Sequence, residues 1–195
     1  MTTLVALAVL APAGYVHEIS HGGTRLTVRN QQTGRVIWWR RVEGDLHVSW
    51  TPDRRAMVAL GYDVTVLSWR AGERVQRIPF IPSIAQGGEP PGLEGSPAIS
   101  PDGRFAAVFM GASMGAADLE MFNVLIIDLR EKTTLRLKDP DSPGSDLLVQ
   151  SLKWTGSRKL RLNEVIFGGT EDNPTVDYSQ RDWLRRGSKW TRANS

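Results

Sequence analysis

Cysteine is absent from all 195 residues of the chain. Disulfides and thiolate metal sites are excluded with it, and so is a small secreted domain stapled by bridges. Histidine is scarce, with only His17, His21 and His47, all near the start. No apolar run is long enough to span a bilayer. The first such run, Leu4 to Ala11, follows Met1-Thr2-Thr3 and has no basic residue before it. A secretory leader needs that positive region, although Ala11-Pro12-Ala13 has the form of a cleavage site. We therefore read the run as a strand and place the chain in the cytoplasm, with a periplasmic or secreted location left open. A large charge excess is also missing. Lys and Arg number 24 against 21 Asp and Glu, for a net charge of +3 and a pI near 9.5. That balance permits an anionic partner without demanding one.

What is present is ordinary globular composition, 41% hydrophobic and 23% charged, with seven tryptophans. A turn signature recurs. It reads Leu10-Ala11-Pro12-Ala13-Gly14, Trp50-Thr51-Pro52-Asp53-Arg54 and Ile99-Ser100-Pro101-Asp102-Gly103, and returns degraded as Trp154-Thr155-Gly156-Ser157-Arg158. Apolar residues lead into and out of each copy. The spacing of roughly 40 to 55 residues is that of a four-stranded repeat.

Between the signatures, short alternating segments are bounded by Gly, Pro and Asn, as strands and their turns should be. Four units result, at about 4–39, 45–78, 96–137 and 147–187. The first holds strands at Tyr15–Ile19, Arg25–Arg29 and Val36–Trp39. Leu46–Trp50, Ala56–Leu60, Val64–Trp69 and Arg74–Ile78 make the second. In the third, Phe105–Met110, Val124–Leu129 and Thr133–Leu137 are strands, with an insert from Gly111 to Met121. The fourth offers Leu148–Trp154, Lys159–Asn163 and Thr175–Tyr178, with Gly168–Pro174 as a loop and a basic segment after Trp183. A Pro/Gly-rich connector runs from Pro79 to Pro97.

These residues resemble WD-repeat-like β-propellers, above all the bacterial type whose blades carry a Ser-Pro-Asp-Gly-Arg turn. Ser100-Pro101-Asp102-Gly103-Arg104-Phe105 matches that motif closely and Thr51-Pro52-Asp53-Arg54-Arg55 matches it well. Thr33-Gly34-Arg35-Val36 and Ala71-Gly72-Glu73-Arg74-Val75 are similar to the turn between a blade's outer strands. No Trp-Asp or Gly-His dipeptide is present, which departs from the family. The resemblance implies an all-β, β-propeller-like domain over residues 1–195, with about four blades of antiparallel strands in a closed or incomplete ring.

Few residues carry chemistry. Gly111-Ala112-Ser113-Met114-Gly115 has the G-x-S-x-G form of a nucleophile elbow. A hydrolase of that fold needs a histidine after the serine, and all three precede it. His17 and His21 share a strand face at best and lack a third ligand, so no metal is expected. Asp53 and Asp102 sit where a carboxylate caps a turn, and Asp128 in an apolar strand reads as a hydrogen-bonded structural group. Trp38 and Trp39 are adjacent on a strand, so one faces outward and is a contact candidate. Trp183, Arg185, Arg186 and Trp190 interleave basic and aromatic side chains, a composition suited to phosphates and stacked bases.

The reading these features favour is a non-catalytic scaffold for a protein or peptide partner, with Trp38, Trp39, Trp183, Arg185, Arg186 and Trp190 as contact residues. No cofactor is expected. The alternatives are a hydrolase-like enzyme using Ser113 and a nucleic-acid-associated protein using the basic C-terminal segment. An incomplete ring is expected to pair with another subunit, as in a homo-oligomer, or with missing sequence.

Overall fold

The computed structural model describes residues 14–20, 25–42, 46–61, 66–78, 93–114, 120–142, 145, 147–170 and 173–193. Among them the chain forms strands and turns and no helix. The strand read at Leu4–Ala11, the turn at His21–Gly23 and most of the Pro79–Pro97 connector lie outside the described residues.

Four antiparallel meanders follow one another. Unit 1 is β1 (Tyr15–Ser20), β2 (Arg25–Asn30) and β3 (Val36–Arg41). Unit 2 is β4 (Leu46–Trp50), β5 (Ala56–Gly61), β6 (Val66–Arg70) and β7 (Gln76–Ile78). Unit 3 is β8 (Leu93–Ile99), β9 (Phe105–Met114), β10 (Glu120–Asp128) and β11 (Thr133–Arg136). Unit 4 is β12 (Leu148–Gly156), β13 (Lys159–Thr170), β14 (Asn173–Arg186) and β15 (Lys189–Arg192). Units 3 and 4 are joined edge to edge where Phe122 and Asn123 of β10 pair with Val149 and Leu148 of β12. Together they make one eight-stranded sheet that folds back on itself.

Units pack face to face, and the side-chain period of two records which faces are covered. In β5, Ala56, Val58 and Leu60 face unit 3, while Met57 and Ala59 face unit 1. All five are buried, so the strand reads as an unbroken apolar run. β9 behaves the same way. Ala106, Val108 and Met110 pack toward unit 2, and Phe105 and Ala107 toward unit 4. The end units alternate instead. Leu26 and Val28 alternate with Arg25, Thr27 and Arg29, of which Thr27 is also buried, and Leu160 and Leu162 with Lys159, Arg161 and Asn163. Three apolar cores therefore lie between four units among the described residues. The outer face of unit 4 is polar, with Asp182 bonded to Arg161 at 2.8 Å and to Lys159 at 2.8 Å. Those two cations hold the Asp182 carboxyl well below the usual carboxylate range. Among the described residues no apolar core joins unit 1 to unit 4.

Both strong copies of the signature fold into the same hydrogen-bonded lock. Thr51 Oγ1 donates to Asp53 Oδ1 at 2.6 Å and accepts the Ala56 N–H at 3.0 Å, and Asp53 accepts the Arg55 N–H at 3.0 Å. Ser100 Oγ donates to Asp102 at 2.7 Å and accepts the Phe105 N–H at 2.9 Å, and Asp102 accepts the Arg104 N–H at 3.2 Å. The fourth residue of each is left-handed, Arg54 at φ 57° and Gly103 at φ 68°. Successive locks touch. A Cβ on Gly103 would stand 2.8 Å from Ala56 Cβ and 3.2 Å from Thr51 Cγ2. Gly103 is thus required twice, for its backbone and for the approach of unit 3 to unit 2.

Two expectations are corrected. The segment from Gly111 to Met121 is not an inserted loop where it is described. Ala112, Ser113 and Met114 extend β9 and pair with Phe122, Met121 and Glu120 of β10. Likewise Gly168–Pro174 is mostly strand, for Gly168, Gly169 and Thr170 pair with Thr175, Pro174 and Asn173. Cross-strand pairing overrides the weak strand propensity of these glycines.

The locks yield a stability test. Gly34 at φ 66° has nothing within 4 Å of a built Cβ, so Gly34→Ala meets backbone strain alone. That costs about 1 kcal/mol, whereas Gly103→Ala adds overpacking and loses about 2–4 kcal/mol. Asp102→Ala removes the cap and loses about 0.5–2 kcal/mol. Urea denaturation measures all three, and equal losses for the two glycine variants contradict the close approach.

Candidate functional site

An open cleft of about 530 Å³ lies where turns of units 2 and 3 meet. Unit 2 supplies Arg70 at the end of β6, Glu73 and Arg74 in the β6–β7 turn, and Gln76 on β7. Unit 3 contributes Asp102, Gly103 and Arg104 from the lock and Leu129 and Arg130 from the β10–β11 turn. Met57, Ser68 and Trp69 complete the lining. Four guanidinium groups thus face two carboxylates.

Turn chemistry holds these groups in place. Arg70 Nη2 donates to the Asp102 carbonyl oxygen at 2.7 Å, which ties unit 2 to the lock of unit 3. Its Nε lies 3.9 Å from Glu73. The Trp69 indole N–H is bonded to the Glu73 carbonyl at 3.1 Å and so fixes the β6–β7 turn. Arg104 donates to Asp128 at 3.0 Å. Asp128 also accepts the N–H groups of Arg130 and Glu131, both at 3.1 Å, and Lys132 closes that turn at φ 56°. Asn30 does the same for Gln32 and Thr33 before Gly34, so this second turn type recurs as well. Arg74 and Arg130 are exposed, and no ion pair among the described residues engages them. Gln76 Oε1 is buried and accepts no hydrogen bond from the protein.

The residues named from sequence are placed apart from this cleft. Trp38 and Trp39 lie on β3. Trp38 packs into the core between units 1 and 2, its ring 6.1 Å from Trp69. Trp39 is the outward member of the pair, 51% exposed, with the Arg25 guanidinium 4.6 Å from its ring centre. The other four sit on unit 4. Trp183 and Trp190 are only 3% and 9% exposed. Alternation across the β14–β15 hairpin turns both rings into the core against unit 3. Trp190 meets Phe105 edge-on at 5.6 Å, and the Trp183 N–H is bonded to the buried Glu164 carboxylate at 2.6 Å. Arg185 lies over Phe105 at 4.6 Å and 3.6 Å from Asp128, a bridge between units 3 and 4. Arg186 alone of these four is exposed.

Ser113 is inside a strand, paired with Met121. A nucleophile elbow requires a strand-to-helix turn, and the described residues contain no helix. His21 lies outside the described residues. His17 is occupied, for its Nδ1 accepts the Trp50 indole N–H at 3.0 Å. The cleft arginines were missed because three separate turns bring them together. The available signal was an excess of arginine at one end of the repeats, as in Trp69-Arg70, Gly103-Arg104 and Leu129-Arg130.

No protein-family model and no curated protein sequence matches the chain. Its likeness is to solved structures. The dihydro-heme d1 dehydrogenase NirN matches with a TM-score of 0.51 at 14% identity, over 97% of this chain and 46% of that one. The β-propeller domain of Cps50 (Swd1) from Myceliophteria thermophila gives 0.49 at 14% identity, over 89% of this chain and 49% of that one. An acylaminoacyl peptidase from Pyrococcus horikoshii gives 0.49 at 9% identity, over 88% and 28%. The chain is all-β and β-propeller-like, and it spans about half the length of the first two structures or less of the third. Among the described residues no helix is long and apolar enough to cross a membrane.

His17 makes a pH prediction. Burial first, and the Arg54 charge second, hold its pKa below the ordinary value of 6.5. The neutral ring is the one that accepts from Trp50. Its stabilisation is therefore complete above the unfolded-state value and is lost as pH falls, because the unfolded histidine takes the proton more readily. Melting temperature should drop between about pH 7.5 and 5.5 by more in the parent chain than in His17→Gln. Identical slopes contradict the assignment.

Proposed function

We propose that the chain is a non-catalytic binding module that holds a protein or peptide segment in the cleft between units 2 and 3. The observation that carries this reading is the cleft itself. It is open and of ligand size, and its walls are turns pinned by side-chain hydrogen bonds on two units packed over a shared apolar core. Rigid elements that present polar groups bind with little ordering cost. Trp39 offers a second, separate contact at the outer face of unit 1. The fold does not decide the matter, since enzymes are among the structures it resembles.

A phage-displayed peptide library panned on the purified chain tests the reading. Hydrogen–deuterium exchange with a selected peptide should show protection at Trp69–Gln76 and Asp102–Arg104. Protection confined to other strands contradicts the cleft. Labelling of Ser113 by a fluorophosphonate, with ester turnover lost in Ser113→Ala, contradicts the non-catalytic reading.

A further inference from the structure

The cleft is divided between guanidinium groups that are already committed and groups that are not. Arg70 is held by the Asp102 carbonyl and Arg104 by the Asp128 carboxylate, so both are fixed in place. Arg74 and Arg130 flank them with their forks unengaged among the described residues. A guanidinium presents parallel N–H donors that match a carboxylate in plane and spacing. We propose that the occupant of this cleft is an acidic peptide segment, bound through Asp or Glu side chains at Arg74 and Arg130. The inference rests on the reading of the chain as a peptide-binding module and adds the chemistry of the ligand.

A further feature points to a carboxylate ligand rather than to a nucleic acid. Glu73 stands among the arginines at 3.9 Å from Arg70, the outer limit of an ion pair. A carboxylate on a ligand can take its place. For a phosphate backbone the same Glu73 and Asp102 interrupt what needs to be a continuous basic track, and the chain as a whole carries only +3.

Fluorescence anisotropy with three labelled peptides tests the proposal, one of alternating Glu and Gly, one of Gln and Gly and one of Lys and Gly. The Glu peptide should bind best and weaken as salt rises. In the double variant Arg74→Ala/Arg130→Ala its affinity should fall about tenfold or more, the loss expected for charge-assisted hydrogen bonds. Lys153→Ala, on the far unit, should leave it unchanged, and both variants should melt like the parent. Equal binding of the Gln peptide overturns the acidic class and leaves the module reading intact. Displacement of the Glu peptide by oligothymidylate or inorganic phosphate at lower concentration than by unlabelled Glu peptide overturns it in favour of phosphate. If none of the three binds, the acidic class is likewise overturned, and the module reading is then judged by the library selection alone.

Discussion

Burial of two faces at once is the constraint on which the architecture depends. Units 2 and 3 each carry apolar side chains on both sides of their middle strands, so neither is stable without a neighbour on each side. Each fully buried Leu, Ile, Val, Phe or Met contributes about 1.5–3 kcal/mol relative to exposure. Leu60, Val66, Ile78, Val108, Met110, Leu125 and Ile127 put several such contributions into the single interface between units 2 and 3. Unit 1 packs on the far face of unit 2 and unit 4 on the far face of unit 3, which completes that burial.

Turn chemistry converts that packing into a surface. The Thr51–Asp53 and Ser100–Asp102 locks fix the entry to β5 and β9, and the Asp128 turn fixes the exit from β10. Because Gly103 lets one lock approach the next, and Arg70 reaches the Asp102 carbonyl, the turns of adjacent units are held at one spacing. Basic side chains carried on those turns then converge on the cleft. The same Asp128 receives Arg104 and Arg185, so the wall of the cleft is braced from unit 4 as well.

Much of the strand map is legible from local residues, because the locks are local. Hydroxyl, proline, aspartate and a left-handed fourth position lie within five residues, and both strong copies form the same bonds. The contrast between Ala56-Met57-Val58-Ala59-Leu60 and Lys159-Leu160-Arg161-Leu162-Asn163 also records which strands are covered on both faces and which on one. What is not legible depends on distant pairing. The extensions of β9 and β13 run through Gly111, Gly168 and Gly169, and only the partner strand makes them strands. The corner between β10 and β12 has no sequence mark. Trp183 and Trp190 look like a basic-aromatic tail until the hairpin alternation turns them inward. The cleft arginines come from three turns far apart in the chain.

The claim that units 2 and 3 form the rigid centre is tested most directly by native-state hydrogen exchange of the free chain. Amides of β5, β6, β9 and β10 should exchange only through global unfolding, with the slowest rates in the molecule, while those of β1, β3 and β15 exchange through cheaper local openings. Equal protection across all four units, or slowest exchange in unit 1 or unit 4, would contradict the account.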